Sequence, residues 1–210
     1  MLGEDQAEAY ARADFDAPNR RFCAELDARA PAPLRGLAVD LGCGPADIPL
    51  RLARSHPQLQ LDAVDGSAPM LEWARRAIDA AVLGDRVRVV HAALARLPLT
   101  AASYDFVLSN SLLHHLHDPL ELWHAVARLV RPGGYVQVMD LSRPASAERA
   151  REIVESHAGS EPEVLKQDFF ASLLAAFRPD EVRRQLERCG IGQLQVETIS
   201  DRHLLVSGRC

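Results

Sequence analysis

The stretch Val39-Asp40-Leu41-Gly42-Cys43-Gly44 places an acid and two glycines where a short apolar run ends. Glycine has no Cβ, so the chain can turn sharply there and a ligand can approach the backbone closely. A helix that starts just beyond such a turn presents backbone N–H groups with no intrahelical partner. A second acid, Asp65, closes another apolar run, 59–65. A carboxylate in that place can accept from both hydroxyls of a ribose. A dinucleotide site would call for G-x-G-x-x-G, but here Asp47 stands at the last glycine position. A carboxylate is a poor neighbour for a pyrophosphate. The pattern therefore points to a nucleoside without phosphates, and away from NAD.

Other residues could do chemistry on a second substrate. His114, His115 and His117 form an H-H-x-H cluster. That spacing is not a zinc pattern and no cysteine or acid cluster accompanies it, so no metal is expected. His114 or His115 is a candidate general base, with a structural histidine as the alternative. Asp140 and Arg143 lie at and just beyond the end of the apolar run 135–141, and Asp201, Arg202 and His203 lie at the junction of the last two apolar runs. If the final strand is antiparallel, both groups reach one edge of a sheet. Arg202 and His203 are then candidates for a substrate cleft, the alternative being a salt-bridged turn. Phe169, Phe170 and Phe177 could line a pocket or form a helix packing face.

The elements that must position these residues follow from apolar periodicity. The first thirty residues read as a helical cap, 1–30, ending at Pro31-Ala32-Pro33. Strands are expected at 37–41, 59–65, 86–91, 104–109 and 135–141. Helices are expected at 47–55, at 67–82 with Ser67 as N-cap, and at 119–130. Asp118 would cap the last of these with Pro119 in its first position, and Pro132-Gly133-Gly134 would stop it. Two helices, 145–157 and 163–177, follow with no strand between them, so 145–178 reads as an inserted helical lid. A helix at 179–189 leads to strands 194–199 and 203–207, joined by a turn short enough to make them antiparallel. Alternating strands and helices give a parallel sheet covered on both faces, within a single domain, 1–210.

Charge and composition narrow the partners. Lys and Arg total 24 against 29 Asp and Glu, a net charge of −5, with no basic block. A generic nucleic-acid binder needs a basic surface, so none is expected as partner. The N-terminus is polar and acidic and does not read as a signal peptide. No run of about 18 apolar residues is present, so no membrane span is expected. Cys23, Cys43, Cys189 and Cys210 are scattered, which suits reduced thiols in a cytoplasmic protein. A monomer or homodimer acting on a small molecule is the expected assembly.

Five blocks in order resemble the class I S-adenosylmethionine-dependent methyltransferases, in particular the branch that includes ubiquinone/menaquinone biosynthesis and arsenite methyltransferases. They are VDLGCGPA (39–46), LDAVDGSAPML (61–71), RLPL (96–99), SYDFVLSNSLLHHLHDP (103–119) and LVRPGGYVQVMD (129–140). The resemblance implies an α/β, Rossmann-like three-layer sandwich whose seven-stranded sheet is mostly parallel with an antiparallel last strand. It implies S-adenosyl-L-methionine as cofactor, a cationic nucleoside without phosphates. By position, Asp40, Gly42, Cys43 and Gly44 would surround its methionine half. Asp65 would grip the ribose with Gly66 and Ser67 beside it, Met70 would pack on the adenine, and Ala92, Ala93 and Leu94 would line its edge. Asn110 and Ser111 would face the methyl group, and Tyr10 would sit on a helix that closes over the site. The family often has a third loop glycine where Ala46 stands and an acid near Ala93. Nucleobase amino methyltransferases carry an N-P-P-Y-like stretch where this chain has Ser109-Asn110-Ser111-Leu112, which favours a metabolite acceptor. The scattered cysteines speak against arsenic. The rival expectation is a regulatory protein that binds the same cofactor without catalysis.

Overall fold

A computed structural model describes residues 16–210, so Tyr10 and the whole first half of the expected N-terminal cap lie outside the described residues. Helix α1 (Asp16–Arg29) leads to strand β1 (Gly36–Leu41). Then come α2 (Asp47–Ser55), β2 (Leu59–Asp65), α3 (Ala68–Ala80), β3 (Val87–His91), β4 (Tyr104–Asn110), α4 (Leu120–Leu129) and β5 (Val130–Leu141). Helices α5 (Ala147–Ala158), α6 (Glu163–Ala175) and α7 (Pro179–Arg188) precede β6 (Gln195–Thr198) and β7 (His203–Arg209).

The seven strands form one sheet in the order β3-β2-β1-β4-β5-β7-β6. Strands β1 to β5 pair in parallel, whereas β7 is antiparallel to both β5 and β6. The strand order reverses between β1 and β4. Connections leave that point in opposite directions, which opens a crevice at the carboxyl ends of the two strands. His203 pairs with Leu141, so β7 begins at that same edge.

Each sheet face is closed by its own helices. Phe22 and Leu26 of α1, Ile48 and Leu52 of α2, and Leu71 and Ile78 of α3 pack into one core with Ala38, Leu61 and Phe106. Leu122, Trp123 and Val126 of α4, with Val182 and Leu186 of α7, fill the other against Val39, Val107 and Val138. Trp123 is fully buried and donates from Nε1 to Gln185 Oε1 at 2.8 Å, which joins α4 to α7. A third, small cluster of Ala150, Ile153, Val154 and Leu173 holds α5 against α6.

Two local expectations need correction. Pro119 stands at the cap of α4 rather than inside it, although the Asp118 carboxylate still accepts from the Leu120 N–H at 3.0 Å. The helix ends at Leu129, and Val130 already pairs with Tyr104, so Pro132-Gly133-Gly134 lies within β5. Residues ahead of a proline favour extended backbone, and Gly133 absorbs the irregularity with φ of 75°. No helix among the described residues is long and apolar enough to cross a membrane.

Because Trp123 combines full burial with a buried hydrogen bond, Trp123→Ala is expected to lower unfolding free energy by about 3–5 kcal/mol. Urea denaturation followed by far-UV circular dichroism checks this. An unshifted midpoint would show that the α4–α7 contact is not a determinant of stability.

Candidate functional site

The turn after β1 is fastened to the end of β2. The Gly42 and Cys43 N–H groups both donate to the Val64 carbonyl, at 2.8 and 2.9 Å. Gly42 has φ of 79° and Gly44 of 52°, a region that disfavours side chains. A Cβ at Gly42 would come within 2.9 Å of the Leu112 side chain, whereas a Cβ at Gly44 would meet nothing within 4 Å. The turn is therefore pressed against Leu112 on one side and open on the other. Ala46 is also left-handed, with φ of 69°, where the resemblance places a glycine. That conformation costs an L-residue about 1 kcal/mol, and the completely buried methyl returns a comparable amount.

Asp65 is shaped from both sides by backbone. Its Oδ2 accepts from the Gly44 N–H at 2.9 Å and its Oδ1 from the Ser67 N–H at 2.8 Å. Each oxygen keeps a lone pair, so the carboxylate is oriented yet can still accept from a vicinal diol. Ser67 caps α3 by accepting from the Met70 N–H at 3.5 Å, and Met70 is buried in the first turn. Gly66 runs beside the Ala92 carbonyl, and the Ala92 N–H donates to the Asp65 carbonyl at 3.1 Å. Ala93 is exposed and opens the 3-10 turn Leu94–Arg96, with Leu94 half-buried. These residues share the carboxyl edge of β2 and β3.

At the crevice itself stand Asp40 and Asn110. Asp40 is 1% exposed, and its Oδ1 has no hydrogen-bond partner. Burial first, and then the negative charge of Asp65, pushes its carboxyl up to about 8. An unpartnered buried acid of this kind suits a cationic ligand. Asn110 donates from Nδ2 to Asn19 Oδ1 at 3.0 Å and leaves its buried Oδ1 unpartnered. Ser111 turns away from β4 with φ of 56°. Asn19, on α1, also donates to Asp47 Oδ2 at 2.8 Å, so this helix is tied across both the turn and the end of β4. Arg51 donates to Asp47 and to Asp16, at 2.5 and 2.8 Å. Sequence reasoning missed Asn19. An asparagine in a polar helix carries no local signal of a contact 91 residues away.

The histidines divide into distinct roles. His114 Nδ1 lies 2.6 Å from Asp140 Oδ1, with its side chain 5% exposed. Asp140, itself 1% exposed, also accepts from the Leu113 and Leu141 N–H groups, each at 2.7 Å. It thus clamps the 3-10 turn Leu113–His115 to the end of β5. His115 is exposed and its ring lies against His114, centroids 3.9 Å apart. His203 is buried, bonded through Nδ1 to Ser200 Oγ at 2.9 Å, and burial pushes it down to about 4. Arg202 Nη1 lies 3.0 Å from Asp201 and 2.7 Å from His157 Nε2 on α5. The final turn is therefore salt-bridged and docked on α5. Arg143 pairs with Glu181 of α7. No cluster of three or more His, Cys, Asp or Glu suited to a metal occurs among the described residues.

A groove of about 970 Å³ opens at the opposite rim of the sheet. Its buried acid, Asp62, is fully engaged by two 2.7 Å bonds from Arg88 and by the Tyr104 hydroxyl at 2.5 Å. It offers no unsatisfied group comparable with those at the carboxyl edge.

Comparison with known proteins agrees with this geometry. Residues 39–138 match the family described as methyltransferase domain. An uncharacterized methyltransferase of Mycobacterium tuberculosis is 34% identical over 127 residues, 60% of this chain and 61% of that one. A trans-aconitate 2-methyltransferase of Azoarcus is 34% identical over 124 residues, 59% of this chain and 46% of that one. The matched region thus spans less than two thirds of either relative. The crystal structure of a SAM-dependent methyltransferase from Aquifex aeolicus superposes with a TM-score of 0.69 at 16% identity, covering 100% of this chain and 99% of that one. The matched blocks and the fold agree: residues 39–138 match a methyltransferase domain, and the seven-stranded, mostly parallel sheet is that of the Rossmann-like fold of the superposed structure.

Proposed function

We propose that the chain transfers a methyl group from S-adenosyl-L-methionine to a small-molecule acceptor by in-line displacement. The observation that carries this reading is the Asp65 carboxylate, held by the Gly44 and Ser67 N–H groups beside the uncompensated acid Asp40. When bound, the cofactor supplies an activated methyl on a sulfonium whose leaving group is a neutral thioether. The protein's part is then alignment and exclusion of water.

In this reading Asp65 takes the ribose hydroxyls, and Gly66, Ser67, Met70, Ala92, Ala93 and Leu94 surround the base. Asp40, Gly42, Cys43 and Gly44 surround the methionine portion, with Asn110 and Ser111 toward the reacting end. Helix α1, tied down through Asn19, covers that end from water, and α5 and α6 close the acceptor side. Asp140 accepts from His114 Nδ1–H, which leaves the lone pair on Nε2. His114 can then take a proton from an acceptor hydroxyl as the methyl arrives, or from an ammonium beforehand so that the nitrogen has a free lone pair to attack with. Trans-aconitate, in the name of one relative, supports a metabolite acceptor. The five sequence blocks support a place near the ubiquinone/menaquinone-biosynthesis-like branch.

Thermal shift is expected to show stabilisation by S-adenosylmethionine and S-adenosylhomocysteine but not by NAD. Binding without turnover across a broad metabolite panel would favour the non-catalytic regulatory reading. Asp65→Ala should weaken cofactor binding at least tenfold, or about 1.4 kcal/mol; unchanged affinity by calorimetry would refute the ribose assignment. Once an acceptor is known, His114→Gln should lower kcat by roughly 10²–10⁴-fold while leaving cofactor affinity near its original value. A variant with full kcat would leave His114 a structural residue only.

A further inference from the structure

The described residues include three aspartates that are almost completely buried, and they are treated very differently. Asp62 is neutralised by Arg88 and bonded by Tyr104. Asp140 receives two N–H groups and His114. Asp40 has an oxygen with no partner at all. Among the described residues, the titratable groups that face it are acidic or neutral. Asp65 closes β2, Cys43 lies in the turn, and Cys23 reaches in from α1. Burial keeps both thiols protonated, Cys23 pushed up to about 12 and Cys43 well above its ordinary value. Arg51, the cation acting on Cys23, gives its guanidinium to Asp47 and Asp16.

Two neighbouring carboxylates without a cation cannot both hold their charge cheaply. Asp65 is half-buried and receives two backbone N–H groups. Asp40 is the more buried of the two and has an empty acceptor position. Burial and the empty acceptor position favour the neutral form of Asp40, consistent with a carboxyl pushed up to about 8.

We propose that Asp40 selects for charge in the nucleoside site: it stands as the neutral acid in the ligand-free protein and surrenders its proton to solvent when a cationic ligand arrives. This rests on the cofactor assignment made above. S-adenosylmethionine carries two cationic centres, a sulfonium and an ammonium, and the thioether product keeps only the ammonium. The residue would thus couple cofactor binding to pH, and the turn would hold its full negative charge only when a positive charge is there to meet it.

Calorimetry of the full chain at pH 7, in two buffers with different heats of protonation, tests this directly. Titration with S-adenosylmethionine should release close to one proton per site. Wild-type affinity should rise by nearly tenfold per pH unit well below the Asp40 pKa and level off above it. Asp40→Asn should abolish the buffer dependence, whatever its affinity; should that variant not fold, the wild-type pH series decides alone. S-adenosylhomocysteine separates the sources. Equal release assigns the ammonium as the charge met by Asp40, and release by S-adenosylmethionine alone assigns the sulfonium. Binding with no proton exchanged between pH 6 and 8 overturns the proposal and leaves the cofactor assignment standing. Absence of binding at every pH overturns both.

Discussion

The site depends on one constraint: the turn after β1 and the turn after β2 are tied through the same few atoms. The Val64 carbonyl takes two N–H groups from the first turn, and the Asp65 side chain takes one from each turn. Neither turn can move without breaking a bond to the other. A hydrogen bond to a charged acceptor is among the stronger individual terms in folding, on the order of 1.5–3 kcal/mol. The backbone therefore presents a carboxylate already oriented, and little ordering remains to be done when a ligand binds.

The sheet supplies the rest by topology. Strand order reverses between β1 and β4, so Asp40 and Asn110 come to one crevice although 70 residues of chain separate them. The antiparallel β7 returns its first residue to that same edge. Its polar turn is spent on holding α5 through His157, Asp201 and Arg202. The carboxyl ends of β1 and β2 sit over the core under α1 to α3, and the α5–α6 pair carries a small core of its own.

Much of this was legible in the sequence where the signals were local. Helix 47–55 and strand 59–65 have the bounds that apolar periodicity suggests. Ser67 caps α3 because a hydroxyl there can reach an N–H three residues on. The start of β5 was not legible, because Pro132-Gly133-Gly134 has the composition of a stop and is rescued by pairing with β4 and with the C-terminal residue. Contacts between distant polar residues were also hidden. His114 and Asp140 were both singled out, but nothing in one chain says that they meet, and Asn19 gave no sign of bridging Asp47 and Asn110.

The close approach of Gly42 to Leu112 has a mechanical meaning. Leu112 precedes the short turn that carries His114 and His115, and that turn is bolted to β5 by Asp140. The glycine thus acts as a bearing surface between the turn after β1 and the turn that carries the histidines. A methyl group at position 42 would collide with the leucine, so the two turns could keep their spacing only if one of them gave way, and no side chain larger than hydrogen leaves room for both.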